Sequence, residues 1–204
     1  MANSRGITTF ILTLGFTALI STACETQPER QPVGEATPSP TVGVTPSPTG
    51  AASPTASPVA LTAPEKEFMA NAARGGMLEV QLANLATQKA SSNDVKQFAE
   101  RIATDHGQLG QKLQQLASNL NVTLPQDLKP EQQATVSRFE KLAGKAFDRE
   151  FMKETISDHT KSISEFERAA SQATNPDIKQ FVSEALPTLR EHLKMAREIA
   201  GKLH

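Results

Sequence analysis

Apolar residues recur at alternating spacings of three and four through most of the chain after residue 63. This spacing places them along one face of an α-helix, and a helix with such a face buries it against other helices. The predicted long helices span residues 64–90, 93–120, 146–173 and 176–203. A shorter helical piece begins at Pro130, and no alternating strand pattern competes with the helices. The sequence therefore predicts an all-α, antiparallel four-helix bundle over residues 64–204.

Residues at the predicted helix starts support these boundaries. Thr62 and Glu65 have the spacing of a capping box, and Asn175 followed by Pro176 is a common way to begin a helix. Pro187 lies within the last apolar stripe. Because proline removes a backbone donor and clashes with the preceding turn, we expect a kink in the last helix.

Each of the four stripes contains one polar residue near the midpoint of its helix. These residues are Glu79, His106, His159 and His192. Midpoints lie at one level in an antiparallel bundle, and at a rise of about 1.5 Å per residue the four side chains would spread over only about 7 Å along the bundle axis. The sequence therefore predicts that they converge on one point in the core.

Two main interpretations of this buried polar group are open. A carboxylate and imidazoles without partners lose solvation on burial, and one divalent ion (zinc, manganese or iron) bound by the four side chains would relieve that cost. Asp105 is then available as an acceptor behind a histidine ligand. The alternative is a metal-free network in which Glu79 accepts a hydrogen bond from a protonated histidine. A solvent-facing position for one or more of these residues is the third interpretation.

Other polar or small residues have simpler explanations. Gly75 and Gly76 could admit a ligand, but close helix packing is the more common reason for small residues on a stripe. Asp148 fits a cap of the third long helix near the end of the bundle. The terminal His204 is most simply a frayed end.

The charge and residue composition argue against several classes of protein. After residue 63 the chain has 19 basic and 19 acidic residues, a balance that argues against nucleic-acid binding through phosphate neutralisation. A single cysteine allows no intrachain disulfide and no zinc site built from thiolates. The sequence has no nucleophile elbow, phosphate-binding loop or Ser-His-Asp order. Enzyme activity is therefore the least supported function.

Residues 1–23 have the anatomy of a signal peptide. One cation in MANSRG precedes an apolar or small run of 14 residues, shorter than the roughly 20 residues that a transmembrane helix needs. The following ISTAC resembles a bacterial lipobox, in which the cysteine, here Cys24, is diacylated and becomes the new N-terminus. Cleavage by ordinary signal peptidase is the alternative, because Ser21 stands where the strongest form of the motif has Leu. We expect an exported lipoprotein anchored in the cell envelope. By resemblance to the sorting rules of enterobacterial lipoproteins, the absence of Asp after Cys24 favours the outer membrane, facing the periplasm.

Residues 24–63 form a predicted disordered tether between this anchor and the bundle. Nine of the 13 prolines lie between Pro28 and Pro64, and the segment is otherwise rich in Ser, Thr, Ala, Gly and Val. Such a composition cannot bury a core and favours extended polyproline II. A spacer that holds the domain away from a membrane is the simplest function, and a polyproline ligand for a protein partner is the alternative. The sequence indicates no particular protein partner.

The bundle region resembles a known bacterial exported family. The residues that carry the resemblance are GGMLEVQLANLATQKASSNDVKQFAERIATDHGQL from Gly75, GKAFDREFM from Gly144 and LPTLREHL from Leu186. Together they are similar to the family known as domain of unknown function 4142 (DUF4142). The resemblance implies a ferritin-like fold and brings no established activity. The family's polar positions fall on Glu79, Asp105, His106, Asp148, His159 and His192. The resemblance therefore implies that Asp148, like Asp105, supports the metal ligands from outside the coordination sphere.

The sequence departs from the usual ferritin-like di-iron site. That site takes Glu-x-x-His from each of two helices, whereas Ala103, Ile156 and Leu189 stand three residues before the three histidines. With too few bridging carboxylates, we expect a single-metal or metal-free core, which argues against ferroxidase activity. Two functions follow from this expectation: a metal-binding domain of the cell envelope, or a non-catalytic structural or interaction module with a metal-free polar network.

Overall fold

The computed structural model describes residues 60–203. The helices in this region are α1 (Ala63–Lys89), α2 (Asn93–Asn119), α3 (Pro130–Glu140), α4 (Gly144–Gln172) and α5 (Pro176–Ala200). None of these described helices is long and apolar enough to cross a membrane. The predicted signal peptide, Cys24 and the tether before residue 60 lie outside the described residues, as does His204.

Two helical hairpins make up the bundle. α1 packs along α2, and α4 packs along α5. The connections in these pairs are residues 90–92 and 173–175, so short that the paired helices are antiparallel neighbours. α1 also contacts α4 and α2 contacts α5, which closes the four long helices into a bundle, while α3 lies on α1. The predicted all-α bundle is confirmed, and residues 60–203 contain no strand.

The helix boundaries follow the sequence signals closely. The Thr62 hydroxyl accepts from the Glu65 backbone N–H at 3.4 Å, and the Glu65 carboxylate accepts from the Thr62 N–H at 2.8 Å, which is the predicted capping box. Asn175 caps α5 through its side-chain oxygen. α4 begins two residues earlier than predicted, at Gly144, whose φ of +60° suits glycine and allows a sharp turn into the helix. α5 continues through Pro187, and the expected kink stays a prediction.

A polar layer separates two clusters of the hydrophobic core. One cluster lies toward the α1–α2 connection and includes Phe98 and Phe147, and the other lies toward the α4–α5 connection and includes Met69 and Ile178. On α2, α4 and α5 the buried histidine lies between residues of the first cluster and residues of the second, and on α1 Glu79 directly follows Leu78, the first buried residue of the first cluster on that helix. The apolar ends of the bundle therefore hold the polar layer in place from both sides.

Two buried carboxylates, Glu65 and Asp148, tie each hairpin to the connection of the other, and we refer to them as the carboxylate clips. Glu65 on α1 accepts hydrogen bonds of 2.8 Å from both backbone N–H groups of residues 174–175, where α5 begins. Asp148 on α4 accepts hydrogen bonds of 2.9 and 3.0 Å from the backbone N–H groups of residues 91–92, where α2 begins. Each clip thus satisfies helix-terminal donors that would otherwise be unpaired.

The position of Asp148 corrects its predicted role behind the metal ligands. Asp148 precedes His159 by eleven residues on α4, which separates the two by about 16 Å along the helix axis. One of its oxygens accepts from Ser91 and the other from Ser92. Asp148 is therefore a cap of α2 supplied by another helix, not a cap of its own helix and not part of the histidine cluster.

Candidate metal centre

Three histidines from three helices meet in the polar layer. His106 on α2 is 5% exposed, and His159 on α4 and His192 on α5 are fully buried. Their ring centroids are 5.4, 5.4 and 5.3 Å apart. One ring nitrogen from each histidine lies within 4.8 Å of the other two, so the three rings surround a single point.

Glu79 on α1 lies against two of these rings. Its Oε2 is 3.0 Å from His106 Nδ1 and its Oε1 is 2.9 Å from His159 Nδ1. The His159 Nδ1–H points to the carbonyl oxygen of Thr155 at 3.1 Å, so Glu79 Oε1 accepts no hydrogen bond from the described residues despite its short contact. Glu79 Oε1 therefore acts on His159 mainly through its charge, while Oε2 lies at hydrogen-bond distance from His106.

Asp105 lies behind the third ring. Its Oδ2 accepts a hydrogen bond of 2.8 Å from His192 Nε2, and the same oxygen is 3.3 Å from Arg101 Nε. Burial would raise the pKa of Asp105, but the hydrogen bonds from His192 and Arg101 outweigh it and lower that pKa. The sequence placed Asp105 behind a histidine, and the structure identifies that histidine as His192, across the helix interface, not the adjacent His106.

Each of His159 and His192 has one outer nitrogen, which is hydrogen-bonded to an acceptor outside the cluster, and one inner nitrogen, which faces the other histidine. The outer hydrogen bonds determine whether the inner nitrogens carry hydrogen. A carbonyl and a carboxylate only accept, so His159 Nδ1 and His192 Nε2 both carry hydrogen. If both rings are neutral, His159 Nε2 and His192 Nδ1 are bare lone pairs, yet they are only 3.3 Å apart. His106 Nε2 is also buried and has no hydrogen-bond partner among residues 60–203. The centre of the cluster therefore requires a positive charge, which a proton or a metal ion can supply.

The electrostatics of the metal-free cluster favour a proton on one ring. Burial lowers the pKa of His159, but Glu79 and the Thr155 carbonyl outweigh it, so the pKa of His159 is raised. Burial lowers the pKa of His192 to about 4, assisted by the neighbouring histidines. Burial would also raise the pKa of Glu79, but His106 and His159 hold it below its usual range. Without metal, the surroundings therefore favour an anionic Glu79 and a proton on His159 over a proton on His192.

The sequence did not indicate the role of the Thr155 carbonyl. A backbone acceptor has no signature in the side-chain pattern, although Thr155 lies four residues before His159, one helical turn away. The sequence also left open the reason for Gly75 and Gly76. A Cβ atom at either position would meet nothing within 4 Å, so close helix packing does not explain these glycines.

Comparisons with known proteins agree with this fold. The family model described as Domain of unknown function (DUF4142) matches residues 50–199, and no curated protein matches the chain. A crystal structure of a DUF305 fragment from Deinococcus radiodurans has a TM-score of 0.63 at 15% identity, covering 70% of this chain and 99% of that one. A DUF305 protein from Streptomyces coelicolor, described as secreted, has a TM-score of 0.59 at 9% identity, covering 68% and 93%.

A third similar structure is that of CopM in its Cu(I)-bound form. Its TM-score is 0.56 at 14% identity, and the match covers 66% of this chain and 93% of CopM. Identities this low establish a shared fold and no more. The described bundle has the ferritin-like all-helical fold of the DUF305 proteins, as the sequence resemblance implied.

Proposed function

The chain belongs to the DUF4142 family, and we propose that its bundle binds one metal ion between His106, His159 and His192. The observation that carries this proposal is the convergence of three buried ring nitrogens on one point. The ligands would be the nitrogens that face one another, His106 Nε2, His159 Nε2 and His192 Nδ1. An ion there would replace the proton that the metal-free cluster needs, and it would give the unpartnered His106 Nε2 a partner.

Glu79 and Asp105 would support the ion from behind its ligands. Asp105 accepts from His192 Nε2 at 2.8 Å, and Glu79 contacts Nδ1 of His106 and His159. Carboxylates in this position orient histidine ligands and make them more basic. Glu79 contacts the outer nitrogens of two rings and lies outside the group of ligand atoms within 4.8 Å. The proposal therefore assigns Glu79 the role of counter-charge, in place of the fourth ligand expected from sequence.

The donor set narrows the choice of metal. Imidazole nitrogens suit zinc, copper, iron and nickel, and affinity at such sites is highest for Cu²⁺ and then falls for Zn²⁺ and earlier metals. Manganese prefers oxygen donors, and Cu(I) prefers sulfur. CopM, which shares the fold, has been seen with both Cu(I) and Cu(II). We propose Zn²⁺ or Cu²⁺ as the ion, with metal binding as the function and no catalytic step.

Metal content tests this proposal directly. The full chain, equilibrated with zinc or copper and freed of loosely bound metal, is expected to retain about one ion per chain by elemental analysis. His106→Ala and His159→Ala should each retain little. The matched control is His204→Ala, which removes the one histidine outside the cluster and should retain as much as the native chain. A native chain that retains no metal would favour the alternative, a non-catalytic module with a metal-free network.

We also propose that this bundle is exported and held at a membrane through lipidated Cys24. The support is the leader sequence and the ISTAC motif, together with a DUF305 protein of the same fold that is described as secreted. Stable anchoring needs more than one acyl chain, and a diacylated cysteine at the new N-terminus would provide it. The Pro-rich segment would then separate the metal-binding bundle from the membrane surface.

Labelling with radioactive palmitate tests the anchor. The native chain expressed in a bacterial host should incorporate label and sediment with membranes, whereas Cys24→Ala should do neither. Ser21→Leu strengthens the lipobox and serves as the matched variant, with labelling expected to be equal or greater. Release of an unlabelled native chain into the soluble fraction would instead show cleavage by ordinary signal peptidase.

A further inference from the structure

A cleft of about 490 Å³ leads from the surface to the histidine cluster. It is lined by residues of α1, α2, α4 and α5 and by the connection after α2, and its wall includes Glu79 and His106. Cavities of this size hold small organic molecules. The cleft reaches a ring that the proposed function uses, so its contents bear directly on that site.

Four glycines line the part of the cleft that α1 and α2 contribute. They are Gly75, Gly76, Gly107 and Gly110. All four lie inside long helices, where glycine is less favourable than almost any other residue. A Cβ atom at any of them would meet nothing within 4 Å. Helix packing therefore gives no reason for these glycines, and what they provide is open volume.

His106 gives the cleft a polar group that needs a partner. The side chain is 5% exposed, and its Nε2 is buried without a hydrogen-bond partner among residues 60–203. Buried ring nitrogens are rarely left unpaired. In the metal-free protein, an N–H donor of a molecule bound at the inner end of the cleft would meet this need; in the metal-loaded protein the proposed ion meets it.

The remaining lining defines the chemistry of the occupant. Phe166, Phe181 and Leu109 supply an apolar wall, which suits a ring-shaped or aliphatic body. Among the described residues of the wall, the side chains with a permanent charge are Glu79 and Glu165, both acidic. A wall with carboxylates and without Lys or Arg disfavours an anion. The cleft thus fits a neutral or cationic molecule with an apolar body.

We propose that this cleft is a binding site for such a molecule, whose polar nitrogen head lies at His106. In the metal-loaded protein the head would lie beside the ion, and in that respect the inference deepens the proposed function. In the metal-free protein the head would donate its N–H to His106 Nε2. The apolar body would lie against Phe166 and Phe181, in the space that the glycines leave open.

Titration with 4-phenylimidazole tests the site, because this probe joins a nitrogen head to an apolar ring. Calorimetry on the full chain, with and without zinc, should show one binding event. Gly76→Leu should weaken it by at least about tenfold, as expected when a side chain occupies the space of the ligand. A Cβ atom at this position meets nothing within 4 Å, and leucine is a better helix former than glycine, so the variant should fold. Gly201→Leu, the same change outside the cleft at a residue with φ of −64°, should bind as the native chain does.

Three results would overturn the inference. They are no binding of the probe to the native chain, equal affinity in Gly76→Leu, and binding of benzoate as tight as that of 4-phenylimidazole. Zinc titration of the same samples shows whether the ligand cleft or the proposed metal site is the hypothesis that fails. A chain that binds zinc but not the probe has a metal site without a ligand cleft. A chain that binds the probe but not zinc retains the cleft and loses the proposed metal site.

Discussion

Zinc is expected to raise the midpoint of thermal unfolding of the native chain and to leave that of His159→Ala almost unchanged. An ion that binds only the folded chain stabilises it by mass action, by about 2.7 kcal/mol at a free concentration one hundred times Kd. For a domain of this size the shift is roughly 8 °C. His159 is the residue to change because it is fully buried and lies between Glu79 and His192. Circular dichroism melts with buffered zinc and with chelator give both shifts.

The comparison must use the zinc-induced shift, not the melting temperature itself. His159→Ala leaves Glu79 without a neighbouring cation, which is expected to cost about 1 to 3 kcal/mol even without metal. His204→Ala is the control for nonspecific histidine binding and should keep the full shift. Equal shifts in the native chain and in His159→Ala would place the ion elsewhere and contradict the three-histidine site.

Acid is expected to reduce the zinc-induced shift. The pKa of His159 is raised above 6.5 in the metal-free fold, so below that pKa zinc must displace a proton from this ring. For the metal-free chain, a raised pKa means that protonation of His159 contributes stability below pH 6.5 and that this contribution is lost as the pH rises through the folded value. Because of both effects, the stabilisation of the folded chain by zinc should be largest at neutral to alkaline pH.

The sequence predicted the level at which the polar residues meet but not their contacts. Helix spans follow from apolar periodicity, and a fixed rise per residue then brings Glu79 and the three histidines to one layer. Which nitrogen faces which partner depends on the rotation of each helix about its axis. Neighbouring residues on a helix point about 100° apart, and for that reason Asp105 contacts His192 on another helix and not His106 beside it.

Long-range hydrogen bonds were the other feature that local patterns could not supply. The spacing of Thr62 and Glu65 identified a capping box, which uses one carboxylate oxygen. The other oxygen accepts from residues 174–175, more than one hundred residues away. The family resemblance placed Asp148 near the histidines, whereas the structure shows that it accepts hydrogen bonds from backbone N–H groups at the start of α2. Contacts of this kind depend on how the hairpins dock, and that is not encoded in the sequence of either partner alone.

Glu65→Ala is expected to lower the free energy of unfolding by about 3 kcal/mol, because it breaks a buried hydrogen-bond network with a charged acceptor. The carboxylate is 4% exposed and accepts from the backbone N–H groups of Thr62, Thr174 and Asn175. Alanine leaves these donors without their acceptor at the starts of α1 and α5. Chemical denaturation of the full chain measures the loss, and Glu67→Ala, an exposed neighbour on α1, should change stability by no more than about 0.5 kcal/mol.

The same carboxylate gives a pH test that separates its charge from its shape. Burial would raise the pKa of Glu65, but the hydrogen bonds from Asn175 and Thr62 lower it from 4.5 to about 2. A lowered pKa means that this stabilisation is fully present above pH 4.5 and is lost as the pH falls toward 2. Glu65→Gln keeps the shape of the side chain without its charge. The difference in free energy of unfolding between the native chain and this variant should therefore shrink as the pH falls across that interval. A deficit that stays constant from pH 6 to about pH 2 would show that the clip acts through packing, not through an ionised carboxylate.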